Sequence, residues 1–359
     1  MKRLIHSAAA LKPKKLLFLL SVLLVLVIAT LILIWTMLRP KVQSYECTNF
    51  AMNTYIQQTV YGAKREEAAA AAAKSIGELE NLISWRIGDS DVAKLNQEAG
   101  VDWISIDSKT LSILETSLDV AQKSNGAFDP TILPISSLWD FGGENQHVPS
   151  QQELQKFLPY VNYKNLRINT KDSTASLKNH YMAIDLDAIS NGAACDEAIA
   201  AYRSSGADYG IIAVGGSVGV FGTKPDRSPW HVAVRDPATA ESNAAAMGEI
   251  LLDSGFISTS STYEKRFTQN GVTSHHLLNP KTGYPENNGI VSVTVVCSSG
   301  TLSDALSYAC FILGKDKGME LLNQYHADGI YIDANNQVYI TENLKSKFKI
   351  TNSKYKLMS

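Results

Sequence analysis

Residues 256–309 read FISTSSTYEKRFTQNGVTSHHLLNPKTGYPENNGIVSVTVVCSSGTLSDALSYA, and the fold turns on them. The run from Ile290 to Val296 is β-branched and apolar, and short enough to read as a buried strand. Upstream, five hydroxyl side chains in succession (Ser258, Thr259, Ser260, Ser261, Thr262) lead into Tyr263 and Glu264. The pair His275-His276 then precedes Asn279-Pro280-Lys281-Thr282-Gly283-Tyr284-Pro285, which is dense in turn formers. Beyond the strand, Thr301 or Ser303 is placed to cap a helix, with Asp304 in its first turn. The order is strand, turn, strand, helix. A carboxylate at such a helix start can satisfy backbone donors, or it can hold a hard cation facing phosphate oxygens.

The chain has 359 residues, enough for a large core, and 33 basic against 35 acidic side chains. No basic stripe points to nucleic acid. Cys47, Cys195, Cys297 and Cys310 have no metal-ligand spacing, and the last two sit in apolar surroundings that suit buried free thiols. Lys2, Arg3, Lys12, Lys14 and Lys15 precede an uncharged apolar run at residues 16–38. That run is long enough to cross a hydrocarbon core of ~30 Å as one helix. The basic flank places residues 1–15 in the cytoplasm and everything after Arg39 outside. The run exceeds the h-region of a cleaved signal, and no A-x-A site closes it. The reading is a single-pass anchor in the cell membrane at 16–38, a linker at 39–46, an extracytoplasmic domain at 47–345 and a C-terminal tail at 346–359.

Within the domain, residues 47–61 read as a first strand. Residues 64–87 form an Ala- and Glu-rich helix with Leu79, Leu82 and Ile83 on one stripe. Ser90 caps a short helix reaching Leu95. An amphipathic helix at 111–124 runs into a turn at 124–131, where Asp129 before Pro130 fixes the turn. A short helix at 151–158 and a hairpin at 166–177 follow. A strand at 210–214 ends in Gly215-Gly216-Ser217, where two glycines let backbone approach a ligand. Residues 238–248 have the composition of an insertion loop. Helix 314–324 and a hairpin from 329 to 341 end the domain. Trp85 reads as a core aromatic or a stacking face, His276 as a core or a site residue, and Arg235 as a phosphate contact or a surface pair.

Five ordered blocks, the last of them the 256–309 stretch with its three motifs, resemble the ApbE family, the FAD:protein FMN transferases. Residues 85–96 (WRIGDSDVAKLN) are similar to that family's aromatic-Arg-x-x-Asp-Ser box, and 126–131 to its Gly-x-Phe-Asp-Pro-Thr. Residues 185–196 resemble Asp-Leu-Gly-Gly-Ile-Ala-Lys-Gly-Tyr-Ala-Val-Asp, and 215–237 its Gly-Gly…Trp…Asp-Pro block. Thr259–Tyr263, His276–Gly283 and Asp304–Ala309 resemble Thr-Ser-Gly-x-Tyr, His-x-Ile-(Asp/Asn)-Pro-x-Thr-Gly and Asp-Ala-Leu-(Ser/Ala)-Thr-Ala. The likeness runs from about Tyr45 to about Leu322.

The resemblance implies an α+β fold of mixed sheets and flanking helices, with the nucleotide in a cleft between lobes. It implies FAD as substrate, Mg²⁺, an extracytoplasmic acceptor protein whose Ser or Thr hydroxyl takes FMN, and AMP as the product. Carried over residue by residue, Trp85 stacks on adenine. Asn96, Asp185, Asn191, Gly215, Gly216, Ser217, Thr259, Ser260, His276 and Thr282 surround the nucleotide. Ser190 through its carbonyl, Asp304, Ser307 and Tyr308 hold the metal, and His276 and Asp304 are catalytic.

Five positions depart from the pattern. Ser261 and Asp187 replace Gly, Ser190 replaces Ala, Asn191 replaces Lys and Tyr308 replaces Thr. A Lys supplies a point charge to a pyrophosphate that Asn lacks. Tyr308 either turns away, leaving water to complete the shell, or fills the metal's space. These departures keep two alternatives open, a metal-dependent FAD pyrophosphatase and a non-catalytic FAD-binding protein. The chain holds no self-acceptor of the form Asp-x-x-(Ser/Thr)-Gly.

Overall fold

A computed structural model describes residues 13–38, 43–238 and 246–358. The chain divides into two units at Gln43/Ser44. In the first, α1 (Pro13–Leu38) is a helix of 26 residues. Side chains are described on it only at position 17 and at 20–31, all exposed. Among the described residues no helix is long and apolar enough to cross a membrane.

The second unit is built on a nine-stranded sheet whose strands lie side by side in chain order. They are β1 (Ser44–Ala51), β2 (Thr54–Tyr61), β3 (Tyr209–Val214), β4 (Ser217–Phe221), β5 (Gly255–Ser261), β6 (Ile290–Cys297), β7 (Asp328–Asp333), β8 (Gln337–Ile340) and β9 (Lys356–Leu357). Every neighbouring pair is antiparallel except β8 and β9. The helices are insertions into this meander. Between β2 and β3 come α2 (Arg65–Ile83), α3 (Asp91–Gln97), α4 (Ser108–Lys123), α5 (Leu133–Trp139), α6 (Gln151–Phe157) and α7 (Asp187–Ser205), and between β6 and β7 come α8 (Gly300–Leu313) and α9 (Lys315–Gln324).

Several boundaries differ from the sequence expectation for local reasons. The single strand expected at 47–61 is the hairpin β1–β2, because Met52 and Asn53 turn the chain at φ 54° and 55° and pair Ala51 with Thr54. Part of the loop expected at 238–248 is strand from Ala246 to Leu252, and residues 239–245 lie outside the described residues. The tail expected at 346–359 is integrated. Phe348–Ile350 pairs with the Ala246–Leu252 strand, β9 pairs with β8, and Leu344, Phe348 and Tyr355 are buried. Those three side chains close the core on one face of the sheet, together with Val232, Ile250 and Ile257.

The opposite face carries α2 and α7, packed through Ala69, Ala72, Ala198 and Ile199. The helix α8 is capped by Ser299, not by Thr301 or Ser303, and Asp304 therefore falls in its second turn. The carboxylate that serves the start of α8 is Asp196 of α7. It accepts from the N–H of Gly300 at 2.9 Å and of Thr301 at 2.8 Å. The two helices touch through glycines. A Cβ on Gly192 would lie inside contact distance of the Gly300 carbonyl. That approach carries Asp304 to α7, where its Oδ2 accepts the Gly192 N–H at 2.9 Å.

Candidate active site

A cavity of about 360 Å³ opens within the second unit. One wall is the start of α7 with Asp304 and Tyr308 of α8, a second is β5 and the turn after it, and a third is the 128–141 segment. Strand alternation divides the hydroxyl cluster of β5. Ser258 and Ser260 bond to α8 through Ser303 at 2.8 Å and Ser307 at 2.7 Å. Thr259 turns instead to its register partner Thr294 on β6 at 2.9 Å. Ser217 joins the same network through Ser258 at 2.9 Å. The serines are buried, so each hydroxyl has a partner and the scaffold under Asp304 is rigid.

Among the nucleotide residues carried over from the resemblance, Trp85, Asp185, Asn191, Gly216, Thr259, Ser260 and His276 line the cavity. Gly215 and Ser217 stand behind it. Gly215 has φ 53°, and a Cβ there would crowd the Asn191 amide at 2.9 Å. Asn96 is spent elsewhere. Its amide accepts the Ile184 N–H at 2.7 Å and donates to the Ile184 carbonyl at 3.0 Å, bracing backbone 88 residues away. Thr282 accepts from the Tyr284 N–H in the turn and does not reach the cavity.

Of the four residues the resemblance assigns to a metal, two line the cavity. Asp304 and Tyr308 line the cavity, but the Tyr308 hydroxyl donates to the Leu278 carbonyl at 2.7 Å and its ring stands edge-on to Phe128. It turns away because that buried carbonyl offers it a partner. The side chains of Ser190 and Ser307 donate to the carbonyls of Asp187 and Asp304. Among the described residues no three His, Cys, Asp or Glu side chains converge as a metal-binding group.

The cavity is electrostatically unbalanced. Asp129, Asp140, Asp185, Asp187, Glu264 and Asp304 face it, against Arg86 and Lys265. Burial pushes the Asp304 carboxyl up to about 7, with Glu264 adding to the rise and the Gly192 N–H opposing it. Glu264 opens to the cavity, yet burial pushes it too up to about 7, against the pull of Arg235 and Lys265. Burial takes His276 down to about 3, helped by Lys265. Its Nδ1 lies 3.3 Å from the Lys265 carbonyl, which only accepts, so Nδ1 carries the proton and Nε2 keeps its lone pair.

Asp185 gives a prediction. Burial first, then Asp187, raise its carboxyl from an ordinary 3.8 to about 7. Between those values the folded chain holds the proton more tightly than the unfolded chain, so stability falls as pH rises from about 4 to about 7 and the full cost remains above that. Asp185→Asn is expected to melt higher than the parent at pH 8, by about 2 kcal/mol or more, and to lose that advantage near pH 4. Equal melting curves at pH 8 would refute the burial argument.

The residues that sequence reasoning passed over are Arg86, Lys265 and Glu264. Arg86 lies 4.1 Å over the Trp85 ring and 3.2 Å from Asp187, one of the departures from the family pattern. Glu264 was legible as the first charge after five hydroxyls, but nothing local says that it faces Asp304. The Asp129 expectation describes the turn well. Its carboxylate accepts from the N–H groups of Thr131 and Tyr163, both at 2.9 Å.

A model of the ApbE family matches residues 52–331. The FAD:protein FMN transferase of Treponema pallidum is 27% identical over 337 residues, spanning 89% of this chain and 92% of its own. That of Vibrio cholerae is 28% identical over 245 residues, 67% of this chain and 72% of its own. Among solved structures, the ApbE protein of Thermotoga maritima has a TM-score of 0.78 at 30% identity, covering 85% of this chain and 99% of that one. The flavin transferase ApbE from Vibrio cholerae has a TM-score of 0.76 at 23% identity, a likeness of fold.

Proposed function

The chain belongs to the ApbE family, and from that membership we propose that it moves FMN from FAD to a Ser or Thr hydroxyl of an acceptor protein, releasing AMP. The relatives that carry the transferase name support an enzyme of this class. The observation that carries the reading is Asp304, a largely enclosed carboxylate in the cavity wall, reached by the Gly192 and Asn191 backbone and the Ser217 hydroxyl and by no cationic side chain among its contacts. A buried carboxylate so placed is costly unless a positive charge joins it.

The residues fit a hard divalent ion such as Mg²⁺ because such ions take one or two carboxylates and leave the other positions to water and substrate phosphates. Asp304 would hold it. When bound, that ion supplies neutralisation of the diphosphate charge. It would also offset the excess of carboxylates that otherwise repels an anionic substrate, a task for which Asn191 offers no charge.

The rest is positioning. Phosphoryl transfer asks the protein to align the diphosphate and to take one proton. The acceptor oxygen bonds to the FMN phosphorus, the bond from that phosphorus to the AMP oxygen breaks with its electrons going to AMP, and the hydroxyl proton leaves toward a base in this cavity, where neutral His276 keeps Nε2 open to accept the hydroxyl's hydrogen bond. Trp85 offers an aromatic face at the cavity wall for the adenine of FAD.

The anchor is part of this proposal. The uncharged run at 16–38 behind five basic residues supports a membrane-tethered, extracytoplasmic domain. The test uses the full chain in detergent with FAD, an acceptor domain and Mg²⁺ or chelator, reading AMP and the acceptor's intact mass. AMP with an FMN-sized gain, lost in chelator, supports the transferase, whereas AMP without the gain makes it a hydrolase. In the same cells, activity that stays with membranes after alkaline carbonate supports the anchor, and release into the wash refutes it.

A further inference from the structure

Two of the departures from the family pattern lie one turn apart on α7. Asp187 and Asn191 are neighbours on one face of that helix, and both line the cavity. Where the pattern has Gly and Lys, this face carries an anion and an amide. The amide does not take over the work of a Lys. Asn191 Oδ1 is buried and meets no donor among the described residues, and an amide oxygen has no hydrogen to give a phosphate.

The cation on this wall is Arg86. It sits in the turn between α2 and α3, and that turn is tied down. The Ile87 N–H reaches the Ser84 carbonyl at 3.1 Å, and the Ser90 hydroxyl donates to the same carbonyl at 2.7 Å. The guanidinium is fixed as well. It lies 4.1 Å from the centroid of the Trp85 ring, and its Nη1 donates to the two Asp187 oxygens at 3.3 and 3.2 Å. An ion pair as open to water as this one adds little to stability. Its effect is on position. The arginine belongs to a box that the family shares, but Asp187 does not, and Asp187 holds the charge against the α7 face where the pattern places Lys. Asp185 does not compete for it. That carboxylate accepts from the Ser136 hydroxyl at 3.2 Å and the Asp187 N–H at 2.9 Å. Nη1 is committed to Asp187, and the N–H groups on Nε and Nη2 have no protein acceptor among the described residues.

We propose that Arg86, held by Asp187, is the cation that grips the FAD diphosphate in this chain, in place of the Lys that the family pattern has at position 191. The inference rests on FAD being the substrate and adds the residue that positions it. The changes at 187 and 191 are then one exchange: the helix gives up its own cation and anchors one from the neighbouring turn. A guanidinium suits the task, because its fork can donate to two phosphate oxygens while its face stays on Trp85. In a wall crowded with carboxylates, a cation of fixed position also tells the diphosphate which end of the cavity to occupy.

The experiment measures FAD affinity of the full chain in detergent with Mg²⁺, by flavin fluorescence anisotropy, for the wild type, Arg86→Gln, Asn191→Lys and the double variant. Arg86→Gln is expected to weaken FAD by about tenfold or more. Asn191→Lys is expected to recover about tenfold in the Arg86→Gln background and to gain less than about threefold in the wild type, because both cations answer to the same phosphates. Asp187→Ala is expected to weaken FAD by about threefold, although it removes a negative charge from the cavity; simple repulsion predicts the opposite sign. Melting temperatures are expected to change little, since the pair is half exposed.

Unchanged affinity in Arg86→Gln overturns the proposal. So does an equal gain from Asn191→Lys in both backgrounds, which would make the two positions independent, and so does tighter binding in Asp187→Ala. A wild type that binds no FAD ends this inference and the transferase reading together. One that binds FAD but transfers no FMN ends the transferase reading alone, and the affinity cycle still decides the role of Arg86.

Discussion

Asp304→Asn is expected to lower FMN transfer by about 10³-fold or more and to leave the fold intact. The substitution is nearly isosteric, and the amide oxygen can still accept the Gly192 N–H that Oδ2 accepts at 2.9 Å. What it removes is the charge. The neighbours of Asp304 along the strand and helix are serines, which offer dipoles but no anion to a cation. Among the described residues no three His, Cys, Asp or Glu side chains form a metal-binding group to fall back on, and the carboxylate that faces Asp304 is Glu264, which burial pushes toward its neutral form. Transfer followed by intact mass gives the rate, and thermal melting gives the fold. A second readout is independent of turnover: Mg²⁺ with FAD should raise the melting temperature of the parent and not of the variant. A variant that transfers within tenfold of the parent would reduce Asp304 to a brace for the α7 backbone.

Gly192→Ala is expected to cost about 3 kcal/mol or more of stability and most of the activity with it. The new Cβ would fall inside contact distance of the Gly300 carbonyl and 2.7 Å from Asp304 Cβ. Both neighbours are fixed, one by helix backbone and the other by the helix that presents the carboxylate. The helices must therefore separate, and separation moves Asp304 off the Gly192 N–H. Gly77 is the control for the same change in chemistry. It sits in α2, and a Cβ there would meet nothing within 4 Å. Gly77→Ala is expected to stabilise by about 0.5–1 kcal/mol through helix propensity alone. Denaturant melts of the two variants decide the matter. If both shift the same way, the α7–α8 contact is not tight.

The sequence by itself determined what depends on near neighbours along the chain. The β-branched run at Ile290–Cys297 is a strand because period and composition are local. Ser90 caps α3, accepting the Ala93 N–H at 2.9 Å, because capping is a three-residue affair. The order of the motifs was enough for the family, and the family for the α+β fold.

Only the tertiary structure decided where each polar group spends its bonds. Three hydroxyls could have capped α8, and Ser299 does so where Asp196 meets the helix start from α7, 104 residues back from Gly300. Asn96 looks like a ligand contact, yet Ile184 claims both ends of its amide. Tyr308 could have turned away or filled the metal's space, and its hydroxyl turns away to donate a hydrogen bond to the Leu278 carbonyl. The charge of the cavity was invisible for the same reason. Asp129, Glu264 and Asp304 lie far apart in sequence and meet only when the sheet and α8 pack. Burial then lifts Glu264 and Asp304 toward 7, a shift that no spacing along the chain encodes.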